Sequence, residues 1–255
     1  MTARTVAAVA SLAVGLATAG CVNFYEVTVE TPIQAKLDVT PFQRVLVAGF
    51  LGGGTKNLDA AAETSRLLRS QLRTKSGMRV IDADALQLVQ EVDKRRTTPL
   101  PPPGDTAQDE PRIKNEADLK EYEQILTDTE FWKRIGQEYQ GPLIITGSVL
   151  FAEVTRSGVI SKPRQYTDQM GRVQVEERRE FANQKGYSLT PKFVFIDGRT
   201  GVQLYSESFH EEALYSESQN TPALSSYFEL MDKLLPGFLN TLSTQKIKGT
   251  RVLIK

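Results

Sequence analysis

The chain has 255 residues, with 31 basic and 31 acidic side chains, one histidine and one cysteine. This balance of charge provides no field that would attract nucleic acid or an anionic lipid surface, so the composition disfavours nucleic-acid binding. A chain of this length can bury a substantial core as one large domain, or as one domain with an insertion.

The N-terminal segment has the pattern of an export signal. Arg4 supplies a positive charge, residues 5–19 are apolar or small throughout, and the run stops one residue before Cys21, which makes it too short to span a bilayer. The segment resembles a bacterial lipobox, in which small residues precede the cysteine that becomes lipidated. Thr18 stands where that motif usually has leucine.

The signal determines where the mature chain is expected to be. We expect residues 1–20 to be a lipoprotein signal peptide and Cys21 to carry palmitate and the membrane anchor, which also explains an exported protein with a single cysteine. Val22 follows Cys21, so this position has no aspartate. In enterobacteria-like sorting, the absence of an aspartate there resembles the signal for the periplasmic face of the outer membrane. The alternative is an ordinary secretory signal cut after Ala19, which would leave Cys21 as a free thiol.

The first half of the mature chain alternates strands and helices. Residues 21–43 are expected to form a tether and an edge strand, with period-two alternation up to Pro32. Residues 44–50 form a continuous apolar run that is typical of a strand covered on both faces. The elements expected next are a flexible glycine turn at 51–56, a helix from 57 or 59 to 75, a strand at 78–81 and a helix from 82 or 84 to 92.

Five prolines among polar residues at 97–111 predict an exposed loop or insertion. Two helices are expected after it, at 115–126 and from a cap at Thr129 to about Tyr139, followed by a second buried strand at 143–154. The two buried strands are expected to share one sheet.

Residues 155–186 are charged and rich in turn-forming residues, which predicts an exposed hairpin region. Its candidate partner contacts are Arg178, Arg179 and Glu180. Two strands at 187–197 and 202–210, a helix at 221–242 and a closing strand at 251–255 complete the chain. On the helix, Phe228 and Leu235 are assigned to one buried apolar stripe.

These elements predict a single α/β domain at 44–255. It has a mixed β-sheet with packed helices, a charged hairpin excursion and the proline-rich insertion.

The sequence offers three candidates for catalytic or ligand chemistry, and each is assigned a structural role. Gly49 and Gly54-Thr55-Lys56 approximate a phosphate-binding loop, but the lysine and the hydroxyl stand in the wrong order. His210 is the only histidine and is expected to be solvated at a strand end, and Trp132 is expected in the core. We therefore expect no enzyme activity, no cofactor and no metal site.

Four segments carry a resemblance to a known family: RVLVAGF with its helix, GMRVIDADAL, TDTEFWKRIGQEYQGPLIITGSVL and FVFIDGRTGVQLYSESF. Together they resemble the curli secretion-channel (CsgG-like) group of envelope lipoproteins over residues 44–245. The same core is similar to that of the lipoprotein activators of penicillin-binding proteins and of the TolB N-terminal domain. The resemblance implies an envelope protein that works through protein contacts and carries over no catalytic residue.

Two functional expectations follow from this resemblance, and an envelope enzyme of unknown type ranks last. The preferred one is an outer-membrane-anchored periplasmic lipoprotein that binds envelope proteins of unknown identity, with a homo-oligomer left open. The alternative is a subunit of an oligomeric export pore, which would need strands of about 9–11 residues with apolar side chains toward lipid. Glu177 and Arg179 continue the face of Val173 and Val175, and the arginine would cost about 2–4 kcal/mol near the bilayer midplane.

Overall fold

The structure is a computed structural model that describes residues 24–95, 112–216 and 218–254. These residues divide into two compact units. The smaller unit consists of two segments, the described residues up to Gln34 and those from Thr244 onward. The larger unit is Ala35–Ser243.

The smaller unit is a two-stranded antiparallel sheet. Strand β1, Phe24–Ile33, pairs with β8, Gln245–Ile254, in register from Phe24↔Ile254 to Ile33↔Gln245. Pro32 lies inside β1 opposite Lys246, whereas it was predicted to end the strand. A proline is tolerated near the end of a strand that has a free edge, where its missing N–H removes no ladder bond.

The larger unit contains a six-stranded mixed sheet, which confirms the α/β prediction. Its order is β3-β2-β4-β5-β6, and β7 pairs with β5 beside β6. Strands β2, β3 and β4 are parallel, whereas β5, β6 and β7 run antiparallel to their neighbours. The strands are β2 Arg44–Gly54, β3 Arg79–Val80, β4 Leu143–Thr167, β5 Val173–Asp197, β6 Gln203–Ser208 and β7 Glu211–Ser216.

Five α-helices and one 3₁₀ helix are present in the part of the chain that the structure describes. They are α1 Ala60–Lys75, α2 Leu88–Arg95, α3 Glu116–Tyr122, a 3₁₀ helix Glu123–Thr127, α4 Thr129–Glu138 and α5 Ala223–Leu242. Polar side chains cap three of the helix N-termini. Asp59 accepts from the N–H of Ala62, Asn115 forms a capping box with Asp118, and Asp128 accepts from the N–H of Phe131.

The sheet is covered on both faces, and this explains the unbroken apolar runs of β2 and β4. We call the side that packs against α1 and α5 the front face and the side that packs against α2, α3 and α4 the back face. On β4, Ile145 and Phe151 face the front core, while Ile144 faces the back core. Trp132 is fully buried in the back core and donates from Nε1 to the Ile125 carbonyl at 2.8 Å, as predicted for a core residue.

Several element bounds differ from the predictions. Helix α2 begins at Leu88, not at 82 or 84, because the preceding segment runs along β2 and the Leu86 N–H donates to the Ala48 carbonyl at 2.6 Å. Strand β7 was not predicted, and α4 is capped by Asp128, one residue before the expected Thr129. The expected helix at 115–126 is split into α3 and the 3₁₀ helix.

The boundary of the domain also differs. The prediction placed residues 44–255 in one unit, but β8 pairs with β1 in the smaller unit. The α/β domain in the structure is therefore Ala35–Ser243.

Candidate functional site

A long hairpin extends from the sheet between β4 and β5. The two strands have 25 residues each and pair without a register shift from Leu143↔Asp197 to Thr167↔Val173. Strand β2 accompanies β4 only as far as Phe151, and β7 accompanies β5 only from Gln184 to Leu189. We call residues 155–185 the projecting hairpin. None of them is buried.

The sequence predicted an exposed hairpin here but overestimated its breaks. Gly158 and Pro163 lie within β4 and interrupt neither strand. Beyond Phe151 the outer edge of β4 has no strand partner among the described residues, so Pro163 can occupy it without loss of a ladder bond. The extended pairing is therefore compatible with residues that normally mark turns.

The tip of the hairpin is organised by Asp168. Its carboxylate accepts from the N–H groups of Arg172 and Met170, both at 2.9 Å, and from Arg172 Nε at 3.0 Å. The N–H of Arg172 is the largest of the causes that hold the pKa of Asp168 below its ordinary value. Gly171 has φ +76°, a left-handed conformation that favours glycine. The turn is thus closed by its own side chains.

The three predicted contact residues do not share one face. Because successive side chains alternate along a strand, Arg178 and Glu180 lie on the back face, whereas Arg179 lies on the front face. Glu180 pairs with Lys162 at 2.5 Å, and this hydrogen bond is the main reason that the pKa of Glu180 is lowered. A partner that approaches from one side meets either Arg178 or Arg179.

The back face of the hairpin carries a pair of opposed cations. Lys162 and Arg178 are register partners, and side chains directly opposite each other in an antiparallel pair lie close together. Like charges in this position are mutually destabilising. Glu180 neutralises Lys162, so Arg178 adds positive charge to the back face.

The front face of the hairpin exposes apolar side chains. Val159 and Phe181 are register partners and are 67% and 71% exposed, and Val173 and Val175 near the tip are similarly exposed. Glu177 and Arg179 lie on the same face, as the sequence predicted. The front face is therefore mixed, with an apolar pair halfway along and a second apolar pair near the tip.

His210 has more partners than predicted. Its Nδ1 lies 2.8 Å from Thr190 Oγ1 and its Nε2 lies 3.3 Å from Glu212 Oε1, while Arg156 pairs with the same carboxylate at 2.7 Å. This row of hydroxyl, imidazole and carboxylate joins β5 to β7 at the root of the hairpin, and Arg156 connects it to β4. Sequence reasoning missed it because β7 was not predicted.

The glycines at the end of β2 are explained by close packing. The segment was predicted to be a flexible turn, but β2 continues through Gly54, which pairs with Phe151. A Cβ at Gly54 would lie 1.9 Å from the Phe151 carbonyl oxygen, and one at Gly53 would lie 2.5 Å from Ile113. The close approach of Phe151 to Gly54 and of Ile113 to Gly53 thus explains why both positions are glycine.

Two predicted features fall outside the described residues. These are Cys21 with its signal peptide, and the proline-rich residues 97–111, of which the structure describes none. Where the chain is described, no group of three or more His, Cys, Asp or Glu side chains is placed to hold a metal ion. None of the helices found there is both long enough and apolar enough to cross a membrane.

Comparisons with known proteins give similarity to solved structures alone. No family model and no curated protein matches the chain. Similar structures include lipoprotein GNA1162 from Neisseria meningitidis, at 12% identity and TM-score 0.33, covering 77% of this chain and 98% of that one. A neuraminyllactose-binding hemagglutinin homolog from Helicobacter pylori has 11% identity and TM-score 0.36, covering 84% and 91%. The PelC dodecamer from Paraburkholderia phytofirmans has 13% identity and TM-score 0.34, covering 88% and 100%.

Proposed function

We propose that this chain is a periplasmic lipoprotein that is anchored in the outer membrane through Cys21 and binds other envelope proteins through the projecting hairpin. The observation that carries the proposal is the hairpin itself. About thirty residues are held in regular pairing beyond the sheet, yet none of their side chains is buried in either core. Because ordering a residue costs about 1–2 kcal/mol of backbone entropy, an ordered element that adds nothing to the core needs another reason to exist.

The edges of the hairpin support a specific contact over indiscriminate association. An open strand edge is a template for aggregation unless it is blocked by charges, proline or a short length. Here Pro163 lies on the β4 edge, and Lys162, Arg178 and Glu180 lie along the two strands. The proline and the charges thus hinder edge pairing with other chains, while the hairpin stays exposed to a specific partner.

The charges also favour a protein as the partner. Basic and acidic side chains are interspersed on the hairpin, in contrast to the single-sign field that attracts nucleic acid. Arg178 and Arg179 present cations on opposite faces, and arginine is enriched at protein interfaces. No catalytic role is part of the proposal, because the carboxylate beside His210 is already paired with Arg156.

Face-specific charge reversal tests the proposal. Arg178→Glu alters the back face and Arg179→Glu the front face, while Arg79→Glu on β3, at the opposite edge of the sheet, is the matched control. After crosslinking in the native envelope and purification of the partner, we expect one hairpin variant to slow association severalfold and to change its salt dependence, because rim charges act mainly on the association rate. The melting temperature and the control should remain unchanged.

The outcome that would contradict the proposal is an unchanged crosslinking pattern in both hairpin variants at unchanged stability. The hairpin would then be only a solvated extension of the sheet. Rings in electron micrographs of the purified lipoprotein would instead favour the alternative of a pore subunit.

A further inference from the structure

A polar cavity lies at the root of the projecting hairpin, on the front face. Its volume is about 270 Å³. We infer that this cavity binds a saccharide, with one sugar ring seated in it. The inference does not depend on the hairpin contact proposed above, since the hairpin can bind a protein while the cavity is empty.

Three neighbouring strands supply the floor of the cavity. Thr155, Lys185 and Tyr215 are consecutive register partners across β4, β5 and β7, so their side chains form one row on the front face. Glu153 and Tyr187 form the next row toward the core. The segment before α5 closes the third side, with Gln219, Asn220 and Thr221. The side chains on the paired strands provide a fixed floor for a ligand, and the loop before α5 adds further polar groups at its side.

The aromatic ring of Tyr187 provides a flat apolar surface. It stacks on the fully buried Phe151 ring, with centroids 4.9 Å apart and planes 11° apart. Phe151 lies on the core side of Tyr187, whereas Thr155 and Lys185 of the cavity lie on the other side. One ring face is therefore covered, and the other is directed toward the cavity, where the C–H face of a sugar ring can pack against it.

The polar groups of the cavity match hydroxyl groups. The Glu153 carboxylate accepts from Asn57 Nδ2 at 3.3 Å and keeps further acceptor sites. Burial, with Glu153 as a second cause, raises the pKa of Tyr187, so its phenol stays neutral and can donate. The amides of Gln219 and Asn220 can both donate and accept. A sugar ring, which carries many hydroxyls that each donate and accept, fits such a mixed set.

Other ligand classes fit less well. An apolar ligand would strip water from charged and amide groups without replacing their hydrogen bonds. The lining carries one cation, Lys185, and one carboxylate, Glu153, so a small anion would meet a charge of its own sign beside the lysine, and a divalent cation would find one acidic ligand among the lining residues. The volume lies just under the range of about 300–1,000 Å³ for cavities that hold drug-sized ligands, which suits one ring of a longer chain.

The test is a titration of the full-length chain, followed by ¹H–¹⁵N NMR, with three probes: N-acetylglucosamine, its β-1,4-linked tetramer and maltotetraose. We expect saturable shifts at the amides of residues 153–155, 185–187 and 219–221 with at least one probe. The tetramers distinguish an oligosaccharide ligand from a free monosaccharide. Glu153→Gln and Asn220→Ala should each weaken the affinity about tenfold, which is the effect of one lost hydrogen bond to a ligand.

Glu176→Gln is the matched control, because Glu176 is an exposed carboxylate on the back face near the hairpin tip. It should leave the affinity unchanged, and none of the three variants should change the melting temperature. The absence of saturable shifts with every sugar would overturn the inference, as would shifts that neither cavity variant weakens. Binding of an unrelated tripeptide at the same amides, with no binding of the sugars, would also overturn it.

Discussion

The position of a side chain around α5 decides how much it contributes to stability. Leu235 is 5% exposed, whereas Phe228, which the sequence assigned to the same stripe, is 37% exposed and contacts the Tyr227 ring edge-on. The sequence spacing places both residues on the apolar side of the helix, but Phe228 lies at the margin of that side. Its assignment to the buried stripe was therefore wrong.

This difference predicts unequal effects of truncation. Leu235→Ala should lower the free energy of unfolding by about 2–5 kcal/mol, because it leaves a cavity in the front core. Phe228→Ala should cost about 1 kcal/mol, since much of its ring already contacts water. Denaturant unfolding monitored by circular dichroism measures both values. Equal costs for the two variants would show that Phe228 is buried in solution.

The candidate contact residues show what a sequence can and cannot specify at this scale. The charges of Arg178, Arg179 and Glu180 were sufficient to predict an exposed segment, and period-two alternation would have separated them into two faces once a strand was assumed. The pairing of Glu180 with Lys162 depends on the register, which a sequence of polar residues does not encode. The contact of His210 with Glu212 depends on β7 and was unpredictable for the same reason.

Among the elements, those with a clear apolar pattern were predicted most directly, whereas β7, which lacks such a pattern, was missed. Strand β2 and the start of β4 have apolar runs, and α1 and α5 have apolar stripes, so periodicity identifies all four. Strand β7 is short and mostly polar, with Ala213 as its one buried residue, and therefore has no such pattern. Backbone pairing places β7 beside β5. The pattern of side chains along the sequence contains no information about this pairing.

Two glycines at the hairpin give a matched test of how it is joined to the sheet. A Cβ at Gly186 would lie 1.8 Å from the Ala213 carbonyl oxygen on β7, whereas a Cβ at Gly158 would have no heavy atom within 4 Å. Gly186→Ala should therefore disrupt the pairing of β5 with β7 and cost about 1–3 kcal/mol or more, which is the range for overpacking. Gly158→Ala should change stability by less than about 0.5 kcal/mol.

Hydrogen exchange combined with thermal unfolding distinguishes these outcomes. In Gly186→Ala, the amides of residues 211–216 should exchange faster than in the parent chain, while those of β2 keep their protection. If both glycine variants behave alike, β5 and β7 pack less closely at the root of the hairpin than the structure indicates. The pairing of these strands would then no longer support a fixed cavity floor.

At the scale of the whole molecule, the proposed anchor at Cys21 would determine which partners the hairpin can meet. The mature chain has nearly equal numbers of basic and acidic residues, so its charge provides little attraction to a membrane. The lipid at Cys21 would therefore have to hold it there. Because one acyl chain gives only marginal and reversible binding, stable anchoring requires at least two chains on the modified N-terminus.

This requirement leads to a prediction about Cys21. Mass spectrometry of the mature N-terminus should find a peptide that begins at Cys21 and carries more than one acyl chain, and Cys21→Ser should move the protein from the detergent phase to the aqueous phase. Thr18→Leu, which supplies the leucine usual in a lipobox, is the matched control and should retain the acylated N-terminus. A mature chain that begins at Gly20 with a free thiol would contradict the prediction, because ordinary signal cleavage would then have released the protein. The hairpin would in that case meet its partners in solution, and the protein would lose the confinement to a surface that raises the effective concentration of neighbouring envelope proteins.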